Sequence, residues 1–539
     1  MAIPSVMPAQ HDFSQVPKAE IPRSSFDRSH GLKTTLDAGY LVPIFVDEAL
    51  PGDTFSLNMT GFGRLSTPLR PFMDNVFVNT FFFFVPYRLL WDNFQRFMGG
   101  QDNPGDSTSY VIPQMVSPAG GYLEQTMHDY MGLPTKVPGL SHSCLPFRAY
   151  NLIWNEWFRD QNLQNAAYFS KSDGPDPSAY ILQRRGKRHD YFTSCLPWPQ
   201  KGTAVSIPLG STAPIKGLTV ADGTLAANTG VLGRGPTVTQ DYASGSPAWN
   251  PAAGGGNPLF VQAQATGAAS NTNRPQIYAD LSLATSATIN QLRQAFQMQK
   301  LLERDARGGT RYTEIVRAHF NVVSPDARLQ RPEYLGGGQG NININQVAQQ
   351  SATVAGQTPQ GNLAAYGTAT VSNHGFTKSF TEHGVVLGLM SIRADLNYQQ
   401  GLNRMWSRST KYDFYWPALA HIGEQAVLNK EIYAVGSANP TQDAAAFGYQ
   451  ERFAEYRYKP SQITGKLRSN ATLPLDTWHL AQNFVALPTL SGTFIEDNPP
   501  ISRVVAVPTE PNFIWDSYFQ FRCARPMPVY GVPGLIDHF

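Results

Sequence analysis

Charge is scarce in this chain: Asp, Glu, Lys and Arg together make up 15% of its 539 residues, against about a quarter in an average soluble domain. That scarcity argues against a helical bundle, whose solvated faces need such residues. The two signs also nearly cancel, with a formal net charge of +2. A dedicated nucleic-acid compactor would be far more basic, so any contact with a polyanion must be local or supplied by another protein. Cysteine is rarer still. Cys144, Cys195 and Cys523 are odd in number and far apart, which excludes a disulfide framework and points to folding in a reducing cytosol.

Long hydrophobic runs are missing too. The most apolar stretch, Phe77 to Val85, is closed by Pro86 and is about half the ~20 residues a spanning helix needs. It reads as a buried strand, and no membrane insertion is expected. The opening MAIPSVMPAQHDF has no basic segment followed by an apolar core, so no secretory signal is read there.

Signatures of chemistry are absent: no GxxxxGK[ST], no GxSxG, no HExxH and no CxxC. His142 with Cys144, and His189 with Cys195, lack the paired, repeated spacing of a structural zinc site. GGQDNPGD, carrying Asp102 and Asp106, lacks the ordered ligand series and distal Glu of a calcium loop and reads as a solvated turn. Carboxylate neighbours such as Asp47 and Glu48 have no assignable acid and base roles without geometry. No catalytic residue, metal or cofactor is assigned.

What the chain has in quantity is Pro (41), Gly (46) and aromatic residues (12%), the composition of many strands joined by long ordered loops. Residues 1 to 35 read as an N-terminal arm, polar and without sustained periodicity, with Lys18, Arg23, Arg28 and Lys33 spread through it; a frayed terminus without a role is the plainer reading. From Asp37 to about Val85 the runs LVPIFV, TFSLNM and FVNTFFFFV are strand-like. Short helices are read over Leu89 to Phe97 and Arg148 to Phe158, and together these form a first core portion over 36–201.

Residues 202–273 change character, with four charges (Lys216, Asp222, Arg234, Asp241) in a background of Gly, Ala, Ser, Thr, Asn and Pro. This insertion is either disordered or an ordered, neutral, surface-exposed excursion. The remainder, 274–539, opens with a helix over 288–307 that ends at Gly308-Gly309. The stretch 334–377, with GGGQGNININQVAQQ, carries no charge at all. It reads as a long loop, either plain or packed in extended form against other chains. Strand patterns return at Gly384 to Ile392, in the alternating Phe453 to Tyr458, and in Phe513 to Arg522.

Two features bear on nucleic acid. RRGKRHD, with Arg184, Arg185, Lys187 and Arg188, is the densest positive cluster. It either meets phosphate by counterion release or is a solvated loop or ion-paired interface. AEYRYKP interleaves aromatic and basic residues, as base-stacking surfaces and ordinary half-buried sheets both do.

The stretch RSHGLKTTLDAGYLVPIFVDEALPGDTFSLNMTGFGRLSTPLRPFMDNVFVNTFFFFVPYRLLWDNFQRFMG, within Ser24 to Gly99, closely resembles the N-terminal region of gokushovirus major capsid proteins in the Microviridae. The resemblance continues through PFRAYNLIWNEWFRDQNL, the segment SATINQLRQAFQMQKLLERDARGGTRYTEIVRAHF, RPEYLGG and HIGEQAVLNKEIYA. It implies a mainly β fold, a single eight-stranded viral jelly roll with long loop insertions and several short helices. It also implies a virion protein assembled in the bacterial cytoplasm, sixty copies forming a T=1 shell through pentamers around circular single-stranded DNA. The implied partners are a small basic DNA-binding protein, a pilot protein and a host receptor, with the variable insertion 202–273 protruding at the threefold axes. Lys18, Arg23, Arg28 and Lys33 are the candidate DNA-facing residues. From the residues alone the rivals are a β-sandwich carbohydrate-active enzyme or lectin, favoured by 9 Trp and 23 Tyr, and a stand-alone DNA-binding protein.

Overall fold

The computed structural model describes residues 22–206, 215–216, 278–279, 289–325, 329–356 and 359–531. The chain divides into two compact units, one of residues 1–201 with 303–539 and one of residues 202–302. In the second unit the described residues form a two-residue strand pair, Ile215–Lys216 with Tyr278–Ala279, and the start of a helix at Ile289.

Among the described residues nine strands of the first unit make one antiparallel sheet: β1 (Ser24–Asp27), β2 (His30–Leu36), β3 (Val42–Ala49), β4 (Thr54–Leu65), β5 (Val76–Pro86), β6 (Glu333–Ala348), β7 (Leu363–Ser379), β8 (Gly384–Ala394) and β9 (Phe513–Arg525). The order is β1-β9-β4-β7-β6-β5-β8-β3. β2 also pairs with β9, at its Phe513 to Phe519 end, while β1 pairs with the Arg522 to Arg525 end. β1 and β2 therefore share one of eight strand positions, and the fold is a mainly β jelly roll.

Alternation writes this sheet into the sequence. In β9, Phe513, Trp515, Ser517, Phe519, Phe521 and Cys523 are buried, while Ile514, Asp516, Tyr518, Gln520 and Arg522 are exposed, the period-two pattern of a strand with one face on a core. The sheet curls until its far ends meet. Phe45 of β3, last in the order, lies 5.4 Å from Phe519 and 5.5 Å from Phe521 of β9. Arg28, just past β1, reaches Asp47 of β3 across the same gap.

β5 and β8 are buried on both faces. Val78, Phe82, Val386 and Met390 point into the interior, whereas Phe83, Val85, Val385 and Leu387 point to a second core. The segment between β5 and residue 182 covers them with helix α1 (Leu145–Ile153), Trp91, Phe94 and Tyr150. Inside that second core Arg148 donates to both oxygens of Asp176, at 2.8 and 2.6 Å, and to the Leu90 carbonyl at 3.0 Å. Burial alone would raise the Asp176 carboxyl, but hydrogen bonds from Arg148 and Tyr180 outweigh it and hold the group below its ordinary range. Removing one partner of such a buried pair typically costs about 3–5 kcal/mol, because the other charge is stranded.

The helix read at 288–307 is present as α2 (Ile289–Gly308), followed by α3 (Tyr312–Phe320). Among the described residues no helix is long and apolar enough to cross a membrane.

Three readings need correction. Residues 24–36 are not a loose arm: they are β1 and β2, held by a strand whose residues lie almost the whole chain away, a pairing no local pattern reveals. Residues 1–21, with Lys18, lie outside the described residues.

The uncharged stretch 334–377 is not a loop but contains all of β6 after Glu333 and most of β7. Its glycines mark close approach. A Cβ on Gly338 would sit 2.3 Å from the His374 ring, and one on Gly340 2.3 Å from Val371. Charge is absent because part of this hairpin lies mid-sheet. There Thr80 Oγ1 accepts from Gly338 N at 3.2 Å and shares a 2.8 Å hydrogen bond with His374 Nδ1.

Phe453 to Tyr458 is no strand either. Phe453 is left-handed (φ 64°) and opens a 3₁₀ turn over Ala454–Tyr456, while the strand lies just before it at Ala446–Glu451.

The GFG of β4 has a specific role, because the Trp515 indole lies across it. A Cβ on Gly61 would come within 2.4 Å of that ring and one on Gly63 within 2.6 Å. Gly61→Val should therefore lower the stability of the subunit by about 1–3 kcal/mol, the usual cost of overpacking. Urea unfolding followed by tryptophan fluorescence measures this, and an unchanged midpoint would show that the indole does not occupy that space.

Candidate assembly surface

The connection from β8 to β9 has no long strand, and it carries a dense aromatic segment, MWSRSTKYDFYW over residues 405–416. Two short 3₁₀ turns shape it, Arg404–Ser407 and Lys411–Asp413. The Asn403 side chain accepts from Met405 N at 3.0 Å. The Asp413 carboxylate accepts from Ser409 N, Thr410 N and Thr410 Oγ1 at 2.7–3.0 Å. Those hydrogen bonds hold its pKa down at about 2.

Buried acids tie the segment to the body. Arg404 donates to Glu431 at 2.9 Å and to the Ala426 carbonyl at 2.7 Å, and Glu431 also accepts from Tyr191 at 2.8 Å. The Arg408 guanidinium stacks 4.3 Å from the centre of the Tyr456 ring and 5.4 Å from that of Phe414. Tyr415 meets Phe453 edge-on at 5.3 Å, and Arg452 lies 4.7 Å over Phe453. Backbone and arginines are thus fixed, yet the rings face outward. Trp406 is 71% exposed, and Tyr412, Phe414, Tyr415, Trp416, Tyr456 and Tyr458 are each half exposed or more.

A rigid cluster of Trp, Tyr, Phe and Arg is the composition of the energetic centre of protein interfaces. Left in water, a contiguous apolar surface is an aggregation liability. The sequence signal was present, five aromatics within residues 405–416, but aromatic side chains are ordinarily assigned to a core. HIGEQAVLNKEIYA begins at His421, separated from it by four residues, and supplies the strand Glu424–Leu428, which pairs with Ala446–Glu451.

The residues predicted from sequence to meet DNA lie elsewhere. Arg23 donates to the Gly52 carbonyl and Thr54 Oγ1, and Lys33 pairs with Asp516 at 3.2 Å on an exposed part of the sheet. Arg28 is engaged with Asp47 and lies 5.3 Å over Phe521.

The run Arg184 to Arg188 turns inward. Arg184 stacks 4.0 Å over Tyr40 and donates to the Asp497 carbonyl. Arg185 lies over Phe81 at 4.7 Å and donates to Asn79. Lys187 is buried and donates to the Phe494 carbonyl and Gln482, and Arg188 lies near Asp395 and over Phe77. Burial draws the pKa of Arg185 down to about 9 and of Lys187 to about 8. It pushes buried Asp497 up to about 6 against the pull of Arg393, Lys187, Arg185 and Arg184.

The remaining sequence candidates are structural in their surroundings. His142 Nε2 and Tyr122 OH share a 2.8 Å hydrogen bond, and burial pushes the Cys144 thiol up to about 12. The Cys195 thiol donates to the Tyr191 carbonyl. Asp106 accepts from Asn103 N and closes its own turn, while Asp102 pairs with Arg96. Among the described residues no three His, Cys, Asp or Glu converge as metal ligands. A cleft of about 670 Å³ is lined by Arg159, Arg307, Arg311, Arg317 and Glu314. Arg307 is tied to Glu424 and Arg311 to Glu314, which is not the free carboxylate pair of a glycosidase.

The family model for the capsid protein (F protein) matches residues 14–535. The chain belongs to this capsid protein family. It is 50% identical to capsid protein VP1 of Bdellovibrio phage phiMH2K, with 98% of each chain covered. It is 48% identical to capsid protein VP1 of Chlamydia phage 1 (99% and 98% covered) and 37% identical to that of Spiroplasma virus 4 (97% of each). It is a structural protein and not an enzyme, and the carbohydrate-active alternative falls.

A capsid subunit works by covering surface against copies of itself, and the aromatic segment is a surface in need of cover. Trp406→Ala should leave the melting temperature of the free subunit unchanged while weakening association by about 2 kcal/mol or more per contact, the scale of an interface hot spot. Sedimentation of purified variant and parent at equal concentration reads this. Equal yields of particles would remove Trp406 from the interface.

Proposed function

We propose that this capsid protein assembles through pentamers as sixty copies in a T=1 icosahedral shell, encloses circular single-stranded DNA, and contributes to attachment to the host cell. The observation that carries the assembly reading is the aromatic surface around Trp406, rigidly held and exposed among the described residues. Closed symmetric assembly is the usual way for one chain to cover such surfaces without open-ended growth.

Several features support the DNA reading. A net charge of +2 cannot neutralise a genome, so a small basic partner protein shares that task, and a pilot protein completes the particle. Local contact falls to Lys18, Arg23, Arg28 and Lys33. The exposed Lys33–Asp516 pair is of a kind worth only about 0–1 kcal/mol, so phosphate exchanges with the carboxylate at little cost. Arg185 and Lys187 have no part in this reading, because Arg185 donates to Asn79 and buried Lys187 to the Phe494 carbonyl and Gln482, whereas Arg184 and Arg188 are partly exposed and stay candidates for phosphate contact. The host role belongs to residues 202–273, most of which lie outside the described residues. Its near-neutral composition lets identical loops pack around a threefold axis without like-charge repulsion. Loop closure costs only about 0.6 kcal/mol per doubling of length.

One infection experiment tests the whole reading, using phage that carry the parent gene, the four-residue Gln variant (Lys18, Arg23, Arg28 and Lys33) or a Gly/Ser linker in place of 203–271. Electron microscopy of the parent should show closed particles of one size. The Gln variant should yield shells poor in DNA, and the linker variant shells that attach weakly. Open sheets from the parent, normal DNA content in the Gln variant, or undiminished attachment by the linker variant would each refute the corresponding part.

A further inference from the structure

The hairpin of β6 and β7 is longer than the sheet that holds it. β5 last pairs with β6 at Val76–Ile342, and β4 last pairs with β7 at Arg64–Thr368. β6 and β7 nevertheless continue to pair with each other from Asn343–Thr368 out to Ala348–Leu363. Residues 343–348 and 363–367 thus form a two-stranded ribbon beyond the sheet, about 20 Å long at ~3.3 Å per residue. A two-stranded ribbon is only marginally stable alone.

The two edges of the ribbon differ. On the β7 side Ala365 is buried, and a Cβ on Gly367 would meet Leu65 at 2.8 Å, so the body supports that strand. On the β6 side Asn343 and Asn345 to Ala348 are exposed, Val347 to 47%. No described strand pairs with the outer edge of residues 343–348. Such an edge presents a row of backbone donors and acceptors, and proteins that keep one in water blunt it with Lys, Pro, a bulge or an inward charge. This edge has none of these. Its residues are Asn, Ile, Asn, Gln, Val and Ala, and no charge occurs between Glu333 and Lys378.

We propose that the β6 edge, residues 343–348, pairs antiparallel with the same edge of a second copy across a twofold axis. The inference rests on the shell reading, which supplies the second copy and the twofold. Charge favours this occupant over nucleic acid, because the ribbon offers a polyanion no cation. Two identical ribbons meet without like-charge repulsion, and antiparallel pairing of one segment with itself is what an isologous contact requires. The pairing also gives a marginal ribbon the further strand it lacks, by addition to a sheet edge.

Single cysteines placed in turn at 343 to 348 test this, since an antiparallel pair centred anywhere in the ribbon brings one residue within disulfide reach of its mate, about 4.4–6.8 Å between Cα atoms. The native Cys144, Cys195 and Cys523 are buried and free. Mild oxidation of purified particles should give a covalent dimer from at least one variant, and none from the parent chain. Normal particles without any covalent dimer would overturn the pairing and leave the shell reading standing. Dimers from a chain that makes no particles would support the pairing and sink the shell, and neither dimers nor particles would overturn both.

Discussion

Phe45 against Phe519 and Phe521 is the contact on which the rest of this subunit depends. A flat sheet would leave the interior faces of β4, β5, β8 and β9 in water. Curling brings β3 over to β9, and one interior then takes Leu57, Val78, Phe82, Val386, Met390 and Trp515 together. Each buried aliphatic or aromatic side chain adds about 1.5–3 kcal/mol, so closing the sheet contributes substantially to the driving force. Room for the curl comes from small residues at the crowded points: Gly61 and Gly63 under Trp515, and Gly338 and Gly340 beneath His374 and Val371.

With the interior closed, the outer faces of β5 and β8 are free to carry a second core, and the connections from β5 and from β8 become platforms. The first platform is locked by Arg148 and Asp176, a pair whose geometry must be right because both partners are out of water. The second is locked by Glu431 and Glu455 beneath Arg404 and Arg408. That second lock holds the aromatic rings of residues 405–416 facing outward instead of letting them collapse, as the proposed interface requires of a free subunit. Preorganisation of this kind reduces the ordering cost of association.

The sequence disclosed those parts of the fold whose cause is local. Alternation in Phe513–Arg525, the doubly buried run FVNTFFFFV and the helix ending at Gly308-Gly309 all follow from side-chain period and caps, and all are present. Causes distant in sequence were not legible. β2 exists because β9 lies beside it, 483 positions away at the Lys33–Asp516 pair. β6 is a strand because β5 and β7 pair with it on either side and its glycines fit beside His374, Val371 and Thr80, whereas glycine and neutrality read locally as loop. The basic run Arg184–Arg188 stayed open between phosphate contact, a solvated loop and an ion-paired interface, because the chain does not announce that Asn79, Asp395 and Asp497 lie beside it. The aromatic segment 405–416 carried no local signal of its place, since its residue types ordinarily seek a core and here the rings face outward.

As a proposed interface, the exposed rings of residues 405–416 wait for a neighbouring subunit. A near-atomic reconstruction of the intact particle tests this proposal most directly. Trp406, 71% exposed in the single chain, should there be buried against a second subunit together with Phe414 and Tyr456. A map in which all three rings still face solvent would contradict the account.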